Sequence, residues 1–550
     1  MFALDLAYPE LHDRGMKMER LSPLDASFLR IETKSAHMHV GWHADLALAP
    51  GHPPLDALEL RRRIAAKLHL APRFRQRLRD APVGEPFWTD DARFRISDHV
   101  KVTAALTEPG ELRAASDEFF SRRLDRDRPL WEILVVPRAG PGHAAVLGKV
   151  HHAMVDGIAA VELGMLLFDL EPHPACPEPV PWTPERAHSP ARVAVESLKD
   201  AALEQFRAAR QAAGIGLRPG HALRSADSVR RAALSLAGDL ARPAPASFLR
   251  GDLSPRRVLV PARADLERVK AVARSLGVKL NDVVLAAVAG SLRSLAEIVD
   301  APPTPQRAMV PISTRSEDER GGNRITFAFV DLPVDVADPG ARLREVVHQM
   351  AALKRSGYAR GTDILLRGAG LLPGPLKDGV ARVASSPRTH SLTVSNVPGP
   401  TVPLYAAGAR VLSIHPLIPI SEGHSLSVGV VSYGGQLHFG VYADPTALPE
   451  AARLEGLLPA AFEQLEELTL ASRPAPPAAG RVARTGDGEE SGHGDQVRPQ
   501  HDRVTLGQRS GPARDVRDPQ PGGWNRDRDL AAGRSRAGGR NGRAGSRQPG

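Results

Sequence analysis

Cysteine is almost absent from this chain of 550 residues, which contains only Cys176. A single cysteine excludes a disulfide framework within the chain and is typical of a reducing compartment. The N-terminal segment lacks a basic stretch followed by an apolar one, so no secretory signal peptide is predicted. No uninterrupted apolar run reaches the roughly 18 to 20 residues that span a bilayer. We therefore expect a cytoplasmic protein that contacts membranes only from their surface.

Aromatic residues are also scarce, at 4% of the chain, and the positive charge is unevenly placed. The formal net charge is +9, but the segment from residue 473 onward carries 15 arginines, no lysine and nine acidic residues. The rest of the chain is therefore close to neutral. This part of the chain therefore offers neither a positively charged surface for a phosphate backbone nor enough aromatic side chains for bases to stack on. Nucleic acid is not predicted as a partner.

The length exceeds what one ordinary hydrophobic core accommodates, while the composition is that of a globular protein. Two α/β domains are predicted, joined by a proline-rich and helical linker. The last segment is rich in Arg, Gly and Pro, and it has too few apolar residues to offset the entropy of ordering. The predicted organisation is a leader at 1–18, a first domain at 19–175, a linker at 176–252, a second domain at 253–471 and a disordered tail at 472–550.

Hydrophobic periodicity predicts which segments form strands and which form helices. Residues 37–48 alternate as a strand does, residues 144–151 form an apolar run typical of a buried strand, and residues 55–70 have the spacing of an amphipathic helix. Residues 256–293 predict a strand, a helix, a short glycine turn and a second helix. The Gly434-Gly435 pair between two apolar runs predicts a β-hairpin.

Two adjacent histidines, His151 and His152, end the buried strand in the sequence VLGKVHHAMVDG, with Asp156 and Gly157 close behind. In the simplest interpretation, Asp156 caps the following helix and the histidines have no special role. A metal site is disfavoured because adjacent strand residues point to opposite faces. A further candidate set, with same-face spacing on the first strand, is more typical of a solvated or tunnel-lining face: His37, His39 and His43.

General-base catalysis is the third interpretation. A neutral imidazole can take a proton from a hydroxyl at neutral pH, while its neighbour packs inward and Gly157 allows a tight turn. The chain has no Gly-x-Ser-x-Gly motif that would supply a serine nucleophile. Direct transfer to an acceptor hydroxyl is therefore favoured over a covalent acyl-enzyme intermediate.

The motif HHxxxDG is the signature of the chloramphenicol-acetyltransferase-like acyltransferases. Further segments resemble the bacterial wax ester synthase/acyl-CoA:diacylglycerol acyltransferase family: LSPLDASFLRIE, MHVGW, RPLWEI, HHAMVDG, LNDVVLAAVAGSLR, MVPISTR and SNVPGP. They occur in order from about residue 18 to residue 470. The resemblance implies two α/β domains of the chloramphenicol-acetyltransferase type, with an active-site tunnel at their interface.

The resemblance also implies roles for individual residues. His152 would be the general base, and His151, Asp156 and Gly157 would support the motif. In the superfamily this aspartate pairs with an arginine, for which Arg77 is our candidate. Four further residues would contact the oxyanion or line the channel: Ser395, Asn396, Asn281 and Asp282. For Asn281 and Asp282, a role at the start of a helix is the alternative, and for Ser395 and Asn396 it is a strand end.

The function implied is transfer of a long-chain acyl group from acyl-CoA to diacylglycerol, to a fatty alcohol, or to both, without a cofactor or metal. The products would be triacylglycerol and wax ester, and the enzyme would lie peripherally on the inner membrane or on lipid droplets. Two alternatives stay open. One is a condensation-type transferase that uses carrier-protein thioesters, and the other is a catalytically silent lipid-binding relative.

Overall fold

The computed structural model describes residues 19–49, 51, 53–154, 164, 166–176, 178–186, 188–216, 238, 242–313, 325–355 and 374–471. Asp156 and Gly157 lie outside the described residues, as do the predicted leader and the predicted tail. The described helices are α1 (Pro23–Ile31), α2 (Ala57–Lys67), α3 (Ile96–His99), α4 (Pro109–Ser121), α5 (Pro190–Gly216), α6 (Leu266–Ser275), α7 (Leu280–Ile298), α8 (Pro339–Arg355), α9 (Gly374–Ala384) and α10 (Leu454–Ala471).

Fourteen strands are described. They are β1 (His39–Ala47), β2 (Gln76–Arg79), β3 (Phe87–Asp90), β4 (Val100–Val102), β5 (Trp131–Val136), β6 (His143–His151), β7 (Val258–Asp265), β8 (Gln306–Ser313), β9 (Ile325–Leu332), β10 (Leu392–Val397), β11 (Tyr405–Ala406), β12 (Ala409–Leu417), β13 (Leu426–Tyr433) and β14 (Gln436–Ala443). The described residues also include short 3-10 turns at Pro72–Arg75, His152–Met154 and Pro449–Arg453.

The first sheet has six strands in the order β11-β12-β1-β6-β5-β4. Its central strand β1 pairs antiparallel with β6, so that His39 lies opposite His151. On its other side β1 pairs antiparallel with β12, with Gly41 opposite Leu417. Since β12 comes from the C-terminal part of the chain, the sheet that carries the histidine pair is built from both halves of the sequence.

The second sheet has the order β7-β14-β13-β10-β8-β9. The predicted hairpin joins β13 to β14, with Tyr433 opposite Gln436. Gly434 and Gly435 both have positive φ, +56° and +79°, which two-residue hairpin turns of type I′ require. Helices α7 and α10 pack on this sheet, and α7 is buried along most of its length.

No single described helix is long and apolar enough to cross a membrane. Helices α6 and α7 together meet that criterion by length and composition, but they bend by 105° at the turn between them. The Gly277 of that turn has φ +65°, as the predicted glycine turn requires.

Close backbone contact between β14 and β12 gives a test of the fold. A Cβ on Gly440 would lie 1.9 Å from the carbonyl oxygen of Pro416, and a backbone atom cannot move aside as a side chain can. We expect Gly440→Ala to lower the free energy of unfolding by at least the roughly 1–3 kcal/mol typical of overpacking. Urea denaturation measures the change.

Gly456→Ala is the matched control, since no atom lies within 4 Å of the Cβ that it would add in α10. Alanine favours a helix over glycine by up to about 1 kcal/mol, so this variant should be unchanged or more stable. Equal denaturation midpoints for Gly440→Ala and the wild type would contradict the packing described here.

Candidate active site

His151 and His152 lie in different environments because β6 ends between them. The backbone NH of His151 donates to the carbonyl of Leu130 at 2.9 Å, which continues the pairing with β5. The NH of His152 donates to the carbonyl of Met38 at 2.8 Å, and His152 already begins the 3-10 turn. The pair is thus fixed by backbone bonds from both neighbouring segments.

His151 is 1% exposed. Its Nδ1 accepts a hydrogen bond from the backbone NH of Ala153 at 3.0 Å, so the ring hydrogen is on Nε2. That Nε2 lies 3.9 Å from Oε2 of Glu32, beyond hydrogen-bond distance. Burial lowers the pKa of His151 to about 3, although the charge of Glu32 opposes the shift. His151 is therefore a neutral, inward-packed residue.

Glu32 follows the last residue of α1 and is held by two arginines. Its Oε2 is 3.1 Å from Nη2 of Arg123, and it accepts from Nε of Arg126 at 2.8 Å. Burial by itself would raise the pKa of Glu32, but the hydrogen bond from Arg123 and the charges of His151 and Arg126 lower it overall. The buried carboxylate ties α1 to the segment after α4.

His152 is partly buried, and the ring of Phe28 stacks on it with centroids 3.7 Å apart and planes 17° apart. Its Nδ1 is buried without a hydrogen-bond partner in another described residue. Burial lowers the pKa of His152 to about 4, while the residue's own backbone carbonyl raises it slightly. The imidazole is therefore neutral at physiological pH, which is the form a general base requires.

His37 and His39 lie behind the pair. They are 1% and 0% exposed, so the expectation of a solvated face is wrong for these two residues. His39 Nε2 accepts from the NH of Leu124 at 3.3 Å, and burial holds its pKa well below the ordinary value. The ring of His39 lies 5.5 Å from that of His37 and 6.4 Å from that of His151, a clustering that the alternation of the strand did not reveal. His43 Nε2 lies 3.2 Å from Oδ1 of Asp45.

Among the described residues, no group of three or more His, Cys, Asp or Glu is arranged to hold a metal ion.

The structure brings two of the four predicted oxyanion or channel residues into contact. Asn396 Nδ2, on β10, donates to Oδ1 of Asn281 at 3.3 Å, whereas Ser395 precedes Asn396 on the strand and points to the other face. Asp282 accepts from the backbone NH of Lys279 at 3.1 Å, which is the helix-start role considered as its alternative. Burial raises the pKa of Asp282. Among the described residues, no hydrogen bond or ion pair links any of these four residues to His152.

Arg77 lies on β2, with its Nε 3.9 Å from Oδ1 of Asp91. Its proposed partner Asp156 is outside the described residues, so that pairing stays a prediction. The two arginines before it on the chain contact aromatic rings instead: Arg73 lies over Trp88 at 4.4 Å and Arg75 over Trp182 at 4.6 Å.

Four residues beside the histidine pair were not predicted. Two of them, Phe28 and Glu32, belong to the segment LSPLDASFLRIE, and their spacing of four residues places them on one face of α1. The other two, Arg123 and Arg126, have no local pattern that distinguishes them from solvated arginines. Only the long-range contact with Glu32 reveals them.

Comparison with known proteins defines the class. The wax ester synthase/diacylglycerol acyltransferase catalytic domain family matches residues 21–284, and the C-terminal domain of that family matches residues 321–466. The Mycobacterium tuberculosis protein tgs1, named a probable diacylglycerol O-acyltransferase, is 32% identical over 464 residues, which cover 80% of this chain and 93% of the relative. Its relative tgs2, similarly named, is 31% identical, with 82% and 99% covered.

A solved structure agrees with these matches. The wax ester synthase/diacylglycerol acyltransferase from Marinobacter aquaeolei VT8 is 25% identical, with a TM-score of 0.59, and the similarity covers 82% of this chain and 99% of that one. The chain is an acyltransferase and belongs to the wax ester synthase/diacylglycerol acyltransferase family. The predicted mixed α/β class with two family domains is confirmed, whereas the exact domain boundaries stay a prediction.

The buried neutral histidines predict acid sensitivity. Burial lowers the pKa of four of them to between about 3 and about 4: His37, His151, His152 and His415. In the unfolded chain these groups bind protons near pH 6.5, so stability should fall as pH falls from about 7 toward about 4. Asp117 acts in the opposite sense because burial raises its pKa to about 6, but it is one group against four. Urea denaturation at pH 7.5, 6 and 5 measures the slope.

His415→Asn is the matched variant. The Nδ1 of His415 hydrogen-bonds to the carbonyl of Phe439 at 2.8 Å, and the asparagine amide can donate in its place without titrating. The slope between pH 7.5 and pH 5 should be shallower in this variant. A wild-type stability that does not change over that range would refute the prediction.

Proposed function

We propose that this enzyme transfers a long-chain acyl group from acyl-CoA to the hydroxyl of diacylglycerol, giving triacylglycerol, and to a fatty alcohol, giving a wax ester. The observation that carries the proposal is the neutral His152 at the end of β6, stacked by Phe28, within an intact HHxxxDG motif. The names of the mycobacterial relatives and of the Marinobacter structure support the choice of substrates.

In the proposed step, His152 removes the proton from the acceptor hydroxyl as its oxygen attacks the thioester carbonyl carbon. Because Nδ1 is the buried ring nitrogen, we assign the base to Nε2. Collapse of the tetrahedral intermediate breaks the carbon–sulfur bond. The departing CoA thiolate then takes the proton from the imidazolium, so that the ester and free CoA leave a neutral His152.

The oxyanion needs hydrogen-bond donors, and we assign these to Ser395 and the amides of Asn281 and Asn396. The contact between Asn281 on α7 and Asn396 on β10 supports a fixed arrangement of these two amides. Asp282 would hold the start of α7 in place through Lys279. For Asp156 and Gly157 we propose motif support, with Arg77 as the partner of Asp156.

We place the enzyme in the cytoplasm, peripherally on the inner membrane or on lipid droplets. Both ester products are insoluble in water, so the acceptor and the product belong at a lipid surface. Helix α5 also exposes large apolar side chains, with Leu198 61% and Phe206 65% exposed, as interfacial helices do. Fractionation of the producing cells checks this location, and recovery in the soluble fraction alone would contradict it.

The purified protein with palmitoyl-CoA, offered diacylglycerol and hexadecanol in parallel, tests the activity. Triacylglycerol, wax ester or both should form with stoichiometric release of CoA. Ester from a carrier-protein thioester but not from the CoA thioester would indicate the condensation-type alternative. Binding of either lipid without product would indicate the catalytically silent alternative.

The two histidines should respond differently to substitution. We expect His152→Ala to lower turnover by roughly two to four orders of magnitude with little change in folded fraction. His151→Ala should cost less turnover and more stability, since its ring packs inward and accepts from Ala153. Steady-state kinetics and thermal denaturation measure both effects. A larger turnover loss at His151, with both variants folded, would mean that the two roles are reversed.

The proposed chemistry requires no metal, because a thioester is already activated and CoA thiolate is a good leaving group. We expect full activity after exhaustive EDTA treatment and no stoichiometric metal by elemental analysis. Loss of activity on removal of a bound metal, restored on its return, would overturn the assignment of His152 as a metal-free base.

A further inference from the structure

Helix α1 contacts both histidines of the pair from a single face. Phe28 and Glu32 are four residues apart, so their side chains lie one turn from each other on the same side of the helix. Phe28 stacks on His152, and the carboxylate of Glu32 faces Nε2 of His151. One short helix thus reaches the ring assigned as base and the ring that supports it.

Ion pairs hold the C-terminal end of α1 in place. Glu32, which follows the helix, pairs with Arg123 and Arg126, and Arg126 also donates to the carbonyl of Leu29 at 2.8 Å. In the last turn, Arg30 pairs with Glu85 and reaches Oδ1 of Asp378 in α9 at 2.8 Å. Because these contacts come from three separate parts of the chain, α1 has little freedom to tilt, and neither has the Phe28 ring.

A nearly parallel stack restricts an imidazole in a specific way. The plane of a histidine ring is set by rotation about the Cβ–Cγ bond, a torsion with a broad energy minimum. The backbone bond from His152 to Met38 fixes the Cα position but leaves this rotation free. A flat ring at 3.7 Å permits only orientations close to parallel. The stack therefore fixes the plane in which the base nitrogen lies.

We propose that Phe28 is a positioning residue for the reaction, which sets the plane of the His152 imidazole relative to the acceptor hydroxyl. The inference rests on the proposed role of His152. The proposal gives an aromatic residue of α1 the task of orienting the base, whereas a core-filling role alone would require only apolar volume. A base misplaced by about 1 Å can lose on the order of a hundredfold in rate, so the orientation of this ring matters for turnover.

Substitutions that separate ring shape from apolar volume test the proposal. Phe28→Leu keeps an apolar side chain but removes the flat surface, and it should lower kcat roughly 10- to 100-fold while KM for palmitoyl-CoA changes little. Phe28→Tyr keeps the ring and should restore most of kcat. Leu24→Ala is the control on the same helix, since the side chain of Leu24 is 47% exposed. It should match the wild type.

A second readout does not depend on ester formation. Carbethoxylation of His152 by diethyl pyrocarbonate, followed by peptide mass spectrometry, reports how accessible the ring is. With Phe28 covering one face, modification should be slow in the wild type and in Phe28→Tyr, and several-fold faster in Phe28→Leu. If the protein formed no ester at all, the proposed function would fail, while this readout would still report on the stack.

The outcomes that overturn the proposal are specific. One is a folded Phe28→Leu protein with wild-type kcat. Another is a loss of kcat in which His152 modification stays at the wild-type rate, because that pattern indicates a general packing defect. If Phe28→Leu does not fold, as judged by circular dichroism, Phe28→Met is measured in its place with the same expectations, because the unbranched and flexible methionine side chain adapts to irregular gaps.

Discussion

The pairing of β1 with β6 is the constraint on which the site depends. It places His39 opposite His151 and leaves His152 as the first residue beyond the ladder, where the backbone turns. One additional residue in either strand would exchange the faces of the two histidines, since side chains alternate along a strand. The register of two strands thus decides which imidazole is buried behind the sheet and which one meets Phe28.

The buried polar residues behind the sheet follow from the same register. His37, His39 and His151 are buried, and burial lowers their pKa values below the ordinary range. Charged groups lie near them: Glu32 is balanced by Arg123 and Arg126, and the buried Lys149 donates to the carbonyl of Phe119 at 2.7 Å. A buried ion pair is weak evidence for stability. In this position its clear consequence is geometric, because it fixes the end of α1 against the segment after α4.

Much of the fold was predictable because its signals are local. The alternation of β1, the apolar run of β6, the turn at Gly277 and the Gly434-Gly435 hairpin each depend on a few neighbouring residues, and the structure contains all of them. Strand β12 was not predicted. Its segment ARVLSIHPL alternates only weakly and contains a proline, and its place beside β1 is set by a partner more than 350 residues away in sequence. No local pattern carries that information.

The site was predictable to a similar degree. The motif HHxxxDG identified the histidine pair, and the inward packing of His151 agrees with the expectation. The burial of His37 and His39 was not foreseen, since alternation distinguishes the faces of a strand without showing what covers them. Phe28 lay within a segment that resembled the family, yet only the packing of α1 against the turn shows that it meets His152.

Strand β12 has a consequence for how the protein is made. Strand β1 has one neighbour, β6, within the first 151 residues, and the other appears only when the ribosome has passed residue 417. During synthesis β1 is therefore an open edge able to pair with other chains for a period set by the translation of more than 250 residues. A fragment ending at residue 284, where the catalytic family domain ends, would keep that edge permanently. The histidine pair is encoded early, but the sheet beside it is completed late.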